Sequence, residues 1–99
     1  MMSFRLTSTE KYGLKEVLKN FRGEVYLFGS RLKTKAKGGD IDVLLVPRRR
    51  VNPLAASLKI EAKFLALCDQ RLDVVIYRED DLFCQEILKD AKRINFKKL

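Results

Sequence analysis

The chain of 99 residues contains no histidine and no tryptophan. Without histidine there is no imidazole base, no Ser-His-Asp or Cys-His nucleophile and no histidine-ligated zinc. Cysteine is scarce. Cys68 and Cys84 match neither CxxC spacing nor a disulfide framework, and they read as buried, reduced thiols of a cytoplasmic protein. No apolar run reaches the roughly 18 residues that a membrane span needs. Met1–Arg5 lacks the apolar stretch of a signal peptide, so the expected location is cytoplasmic. There is no repeat, linker or low-complexity segment. The length fits one domain over residues 1–99 with one modest core.

Charge is abundant. Lys and Arg number 21 against 13 Asp and Glu, a formal net charge of +8, while 46% of residues are hydrophobic. The apolar share is too large for a disordered chain. The basic excess suits polyanionic ligands (a nucleoside triphosphate, RNA or an acidic partner protein), or simply a solvated surface.

Helix and strand signals alternate. Thr7 with Glu10 forms a capping box ahead of a stripe at Leu14, Val17, Leu18 and Phe21, with Gly23 as the expected C-cap. Val25–Phe28 reads as a buried strand. Residues 31–39 read as a helical turn and basic loop ending in Gly38-Gly39. Ile41–Val46 is the strongest strand signal. Asn52-Pro53 opens a helix with an expected inner stripe at Leu54, Leu58, Ala62, Leu65 and Cys68. Leu72–Tyr77 is a third strand. Asp80 or Asp81 caps a last helix with its stripe at Phe83, Ile87, Leu88, Ala91 and Ile94, followed by a basic tail expected to fray. The expected fold is α/β (α+β): a mixed sheet of three or four strands flanked by about four helices.

Three features carry chemistry. Gly29-Ser30 follows a buried strand, where glycine permits close backbone approach and a hydroxyl with nearby N–H groups suits phosphate. Asp40 and Asp42 flank Ile41 at the start of the strongest strand. They share a face roughly 7 Å apart at Cα, and a hard divalent cation such as Mg²⁺ relieves their repulsion. Asp73 interrupts a run of β-formers. It is either a solvent-facing residue of an edge strand or the third member of a carboxylate cluster. Three carboxylates on adjacent strands opposite a phosphate-binding turn suit two-metal phosphoryl or nucleotidyl transfer.

Phe28-Gly29-Ser30-Arg31, Gly39-Asp40-Ile41-Asp42-Val43 and Leu72-Asp73-Val74-Val75 together resemble a minimal nucleotidyltransferase of the DNA polymerase β superfamily. The resemblance implies that Gly29 and Ser30 hold the β- and γ-phosphates of ATP. It implies that Asp40, Asp42 and Asp73 ligate two Mg²⁺ ions, with Asp73 helping to deprotonate the attacking hydroxyl. Arg31 either steadies the triphosphate or faces solvent. Two departures stand out. Gly39 replaces the serine that precedes Asp-x-Asp in many members, and Lys33, Lys35 and Lys37 occupy the spacer. Minimal members resemble the antitoxin half of two-gene modules with a small all-helical HEPN-type partner, and such antitoxins can transfer AMP to a tyrosine hydroxyl of that partner. The alternatives are a non-catalytic module that neutralises its helical partner by contact, and, with least support, an RNA-binding protein. A homodimer is also compatible with the pattern.

Overall fold

The computed structural model describes residues 6–29 and 40–99. Helix α1 (Ser8–Val17) starts at the expected capping box, in which Thr7 accepts from the Glu10 N–H and Glu10 accepts from the Thr7 N–H. Leu14 and Leu18 are fully buried, as the apolar stripe requires. Gly23 does not cap this helix; the C-cap is Leu18. Gly23 instead opens strand β1 (Gly23–Phe28) with φ +149°, where a Cβ would run into the Val46 carbonyl.

Strand β2 (Ile41–Pro47) pairs antiparallel with β1. A crossover through helix α2 (Pro53–Cys68) returns the chain to strand β3 (Leu72–Ile76), parallel to β2. Helix α3 (Leu82–Asp90) begins at Asp81, whose side chain accepts from the Phe83 N–H. Strand β4 (Lys92–Ile94) pairs antiparallel with β1, giving the sheet order β3-β2-β1-β4. The mixed sheet thus has four strands, with three α-helices among the described residues. The helical turn expected within 31–39 lies outside them.

The main core lies on one face of the sheet. Val25, Leu27, Ile41, Val43, Leu45, Leu72, Val74 and Ile76 pack there with Leu14, Leu18 and Phe64. Gly13 lets α1 approach α2 closely, since a Cβ there would collide with Cys68 Sγ and the Phe64 ring. Leu44 and Cys84 are fully buried outside that cluster, and α3 packs on β1 and β2. Cys84 is therefore core, as expected, whereas Cys68 is only half-buried.

Four expectations are corrected. The inner stripe of α2 is Ala56, Ile60, Phe64 and Cys68, while Leu54, Leu58 and Leu65 are at least 50% exposed. This helix is apolar on more than one side, and the face carrying the large Phe64 ring is the one buried. The last helix ends at Asp90 because Ala91 turns extended (φ −68°, ψ 151°), and the next three residues pair with the open edge of β1. Phe83, placed on the core stripe of this helix, is exposed. The basic tail does not fray. It forms a 3₁₀ turn (Phe96–Lys98) that buries Phe96 against Phe21, with ring centroids 6.3 Å apart.

Candidate active site

Strand pairing assembles the carboxylates. Asp42 lies directly opposite Asp73 in the parallel β2–β3 ladder and opposite Phe28 in the antiparallel β1–β2 ladder. Paired Cα atoms on neighbouring strands are about 4.8 Å apart, and opposed residues project to the same face. That face is the one away from Ile41, Val43 and Leu45. β3 is an edge strand, and Asp73 stands beside Asp42 as one of a pair of carboxylates.

Two carboxylates at this spacing repel unless a proton or cation lies between them. The Asp42 carboxyl is pushed up to about 6, first by partial burial, then by the Asp73 charge, by hydrogen bonding to the Asp73 carboxyl, and by the Asp40 charge. Asp42 is half-buried on the second strand of the sheet, whereas Asp40 is exposed just before it.

Gly29 completes this corner. It follows the end of β1 with φ +80°, and a Cβ there would collide with the Asp42 carboxylate. Only glycine combines that left-handed conformation with so close an approach. Ser30 and Arg31, together with Gly39, Lys33, Lys35 and Lys37, lie outside the described residues.

Sequence reasoning missed two neighbours. The Arg71 guanidinium lies 3.4 Å from Asp73 Oδ1 and 3.9 Å from Asp40 Oδ2, so one cation spans two of the acids. Its signal is the period of two: Arg71 and Asp73 share a strand face. Glu61 on α2 accepts from the Val74 N–H at 2.8 Å. That N–H belongs to an edge strand, and the bond fixes β3 beside Asp73. The signal here is an acid placed among the inward positions of α2.

Among the described residues, no group of three or more His, Cys, Asp or Glu closes into a metal cage. Asp42 and Asp73 stand together, and the exposed Asp40 is held toward Arg71. The donor set nevertheless fits a hard divalent cation. It is all carboxylate oxygen, on one sheet face, with a repulsive pair whose strain a cation relieves.

Comparison with known proteins bears on this arrangement. The model of the family described as polymerase beta, nucleotidyltransferase, matches residues 13–98. No curated protein matches the sequence. Solved structures do match. A toxin-antitoxin structure with AMP-PNP aligns at 22% identity with TM-score 0.65, covering 84% of this chain and 70% of that one. The toxin-antitoxin pair MntA-HepT aligns at 20% identity with TM-score 0.60, covering 84% and 67%. A tri-AMPylated Shewanella oneidensis HEPN toxin in complex with MNT antitoxin aligns at 20% identity with TM-score 0.58, covering 84% and 69%. At these identities the likeness is one of fold.

Proposed function

The chain belongs to the polymerase β nucleotidyltransferase family, and on that premise we propose that it transfers AMP from ATP to a hydroxyl of a small helical HEPN-type partner protein, acting as the antitoxin of that pair. The observation that carries the reading is the opposition of Asp42 and Asp73 on β2 and β3, with Gly29 against the Asp42 carboxylate. The toxin-antitoxin structures of similar fold, one with AMP-PNP and one with an AMPylated HEPN toxin, support the choice of nucleotide and acceptor.

In this reaction the acceptor oxygen forms a bond to the α-phosphorus. The bond from that phosphorus to the bridging oxygen breaks, and pyrophosphate leaves. Asp40, Asp42 and Asp73 would hold Mg²⁺, which supplies charge neutralisation on the phosphates. Asp73 sits on the edge strand, half-exposed, where an incoming hydroxyl can reach its carboxylate and give up its proton. Gly29 brings backbone rather than a side chain to the phosphate side of Asp42. Ser30 and Arg31, next along the chain, are assigned to the triphosphate. Arg71 and Glu61 position the Asp73 carboxylate and its strand.

The test is label transfer from α-labelled ATP in Mg²⁺ to the proteins of a lysate of the source organism. One labelled protein band with wild type, and none with Asp42→Asn, is expected. Label on RNA instead would replace the acceptor. Absence of label with a HEPN-type partner present would favour neutralisation by contact alone.

A further inference from the structure

The sheet edge opposite the carboxylates is basic, and every strand contributes to it. Arg78 lies just beyond β3, Arg48 directly after β2, Arg22 directly before β1 and Lys97 just beyond β4. Neighbouring strands are about 4.8 Å apart, so this row spans about 14 Å. It lies about 20 Å along β2 from Asp42, six residues at the strand rise. The Arg48 N–H donates to the Arg22 carbonyl at 3.0 Å, which holds the two central arginines side by side.

Two hollows run along this edge. One of about 380 Å³ is lined by Phe21, Arg22, Arg48, Arg93, Phe96 and Lys97, among others. The other, of about 440 Å³, is lined by Arg48, Arg49, Arg50, Tyr77 and Arg78, among others. Arg48 lines both, so the two hollows flank one arginine. Glu24 and Asp80 are engaged at this end, while Glu79 contributes an acid to the second hollow. Glu24 lies 4.0 Å from Arg93 and accepts from the Tyr26 hydroxyl, and Asp80 pairs with Arg78 at 3.6 Å. Among the described residues, Arg22, Arg48 and Lys97 have no ion pair. Like charges gathered this closely call for an anion to neutralise them.

We propose that this edge is a binding groove for single-stranded nucleic acid, distinct from the carboxylate site. The row of cations and the two hollows flanking Arg48 offer more than one phosphate position, which favours a polymer. Arginine dominates the row, and its planar fork suits phosphate oxygens. Aromatic rings stand among the cations: Tyr77 is half-exposed in the second hollow, and Phe21, packed on Phe96, presents its remaining half to the first. A basic groove with rings for base stacking is the usual platform for unpaired strands. An acidic protein surface would use the cations but not the rings. This inference is independent of the transfer reaction.

The experiment measures fluorescence anisotropy of labelled oligouridine and oligothymidine over a salt series. The proteins are wild type, the edge variant Arg22→Ala/Arg48→Ala and a charge-matched variant, Lys59→Ala/Lys63→Ala, at exposed positions of α2. The edge variant is expected to bind at least about 10-fold more weakly, with the log–log salt slope reduced by about 1.4 for two lost phosphate contacts. The α2 variant should bind within about 2-fold of wild type. Oligouridine against oligothymidine distinguishes an RNA from a DNA ligand. Should the alanine pair fail to fold by circular dichroism, Arg22→Gln/Arg48→Gln replaces it. Equal weakening by both pairs would reduce the effect to net charge and overturn the proposal. Competition by polyglutamate as effective as by oligonucleotide would overturn it in favour of an acidic protein.

Discussion

Asp42 is half-buried beside a second carboxylate, and its raised pKa is the direct consequence. The folded state binds the Asp42 proton up to about pH 6, whereas the unfolded chain releases it near the ordinary 3.8 of an aspartate. Between those values the native state holds more protons, so this group's contribution to stability falls as pH rises and levels off above about 6. Asp42→Asn should therefore be more stable than wild type near neutral pH in metal-free buffer, with the difference shrinking as pH falls from about 6 and gone below about 4. Thermal melts of both proteins across that window check it; equal melting at neutral pH would count against the close carboxylate pair. Gly29 makes a second prediction at this scale. Gly29→Ala forces a Cβ toward the Asp42 carboxylate at φ +80°, a strain of about 1–3 kcal/mol. Denaturant melts should show that loss, and nucleotidyl transfer should fall with it. The residue types of Asp40, Asp42 and Asp73 and the strand placement of Asp42 and Asp73 were legible in the sequence, because side chains alternate along a strand, whereas Asp40 lies just before β2. Arg71 and Glu61 were not read, because their roles depend on which neighbour the fold brings to them.

Local signals predicted element starts better than ends or faces. The Thr7–Glu10 box, Asn52 ahead of Pro53, and Asp81 each cap the helix that the sequence assigned to them. Caps are short-range hydrogen bonds, so a few residues specify them. Helix faces are set by distant partners. Leu54, Leu58 and Leu65 recur at helical spacing, yet α2 buries Phe64 and Ile60 instead. The last turn of chain shows the same limit: Ile94 continues the stripe of α3 but lies in β4, because β1 has an open edge to fill. Two measurements follow at this scale. Phe96→Ala should cost about 3–5 kcal/mol in denaturant melts, where a fraying tail would cost almost nothing. Gly13→Ala should cost about 1–3 kcal/mol by overpacking the crossing of α1 and α2; an unchanged midpoint would show that Cys68 and Phe64 yield without strain.

At the scale of the whole molecule, the sheet separates two charge environments. Carboxylates gather where β2 and β3 begin, and arginines gather where those strands end. The net charge of +8 announced a basic surface in the sequence but not its location. Location required the order β3-β2-β1-β4, which brings Arg22, Arg48, Arg78 and Lys97 to one edge although they are far apart along the chain. The central claim is that Asp42 and Asp73 act as one unit in nucleotidyl transfer, and a double-mutant cycle tests it most directly. Transfer rates from α-labelled ATP to a HEPN-type partner would be measured for wild type, Asp42→Asn, Asp73→Asn and the double variant. Residues that act as a unit lose function non-additively. Each single variant should fall by about 10²–10⁴-fold, with the double variant scarcely lower than either. Near-wild-type transfer by either single variant, or losses that multiply in the double, would contradict a joint centre.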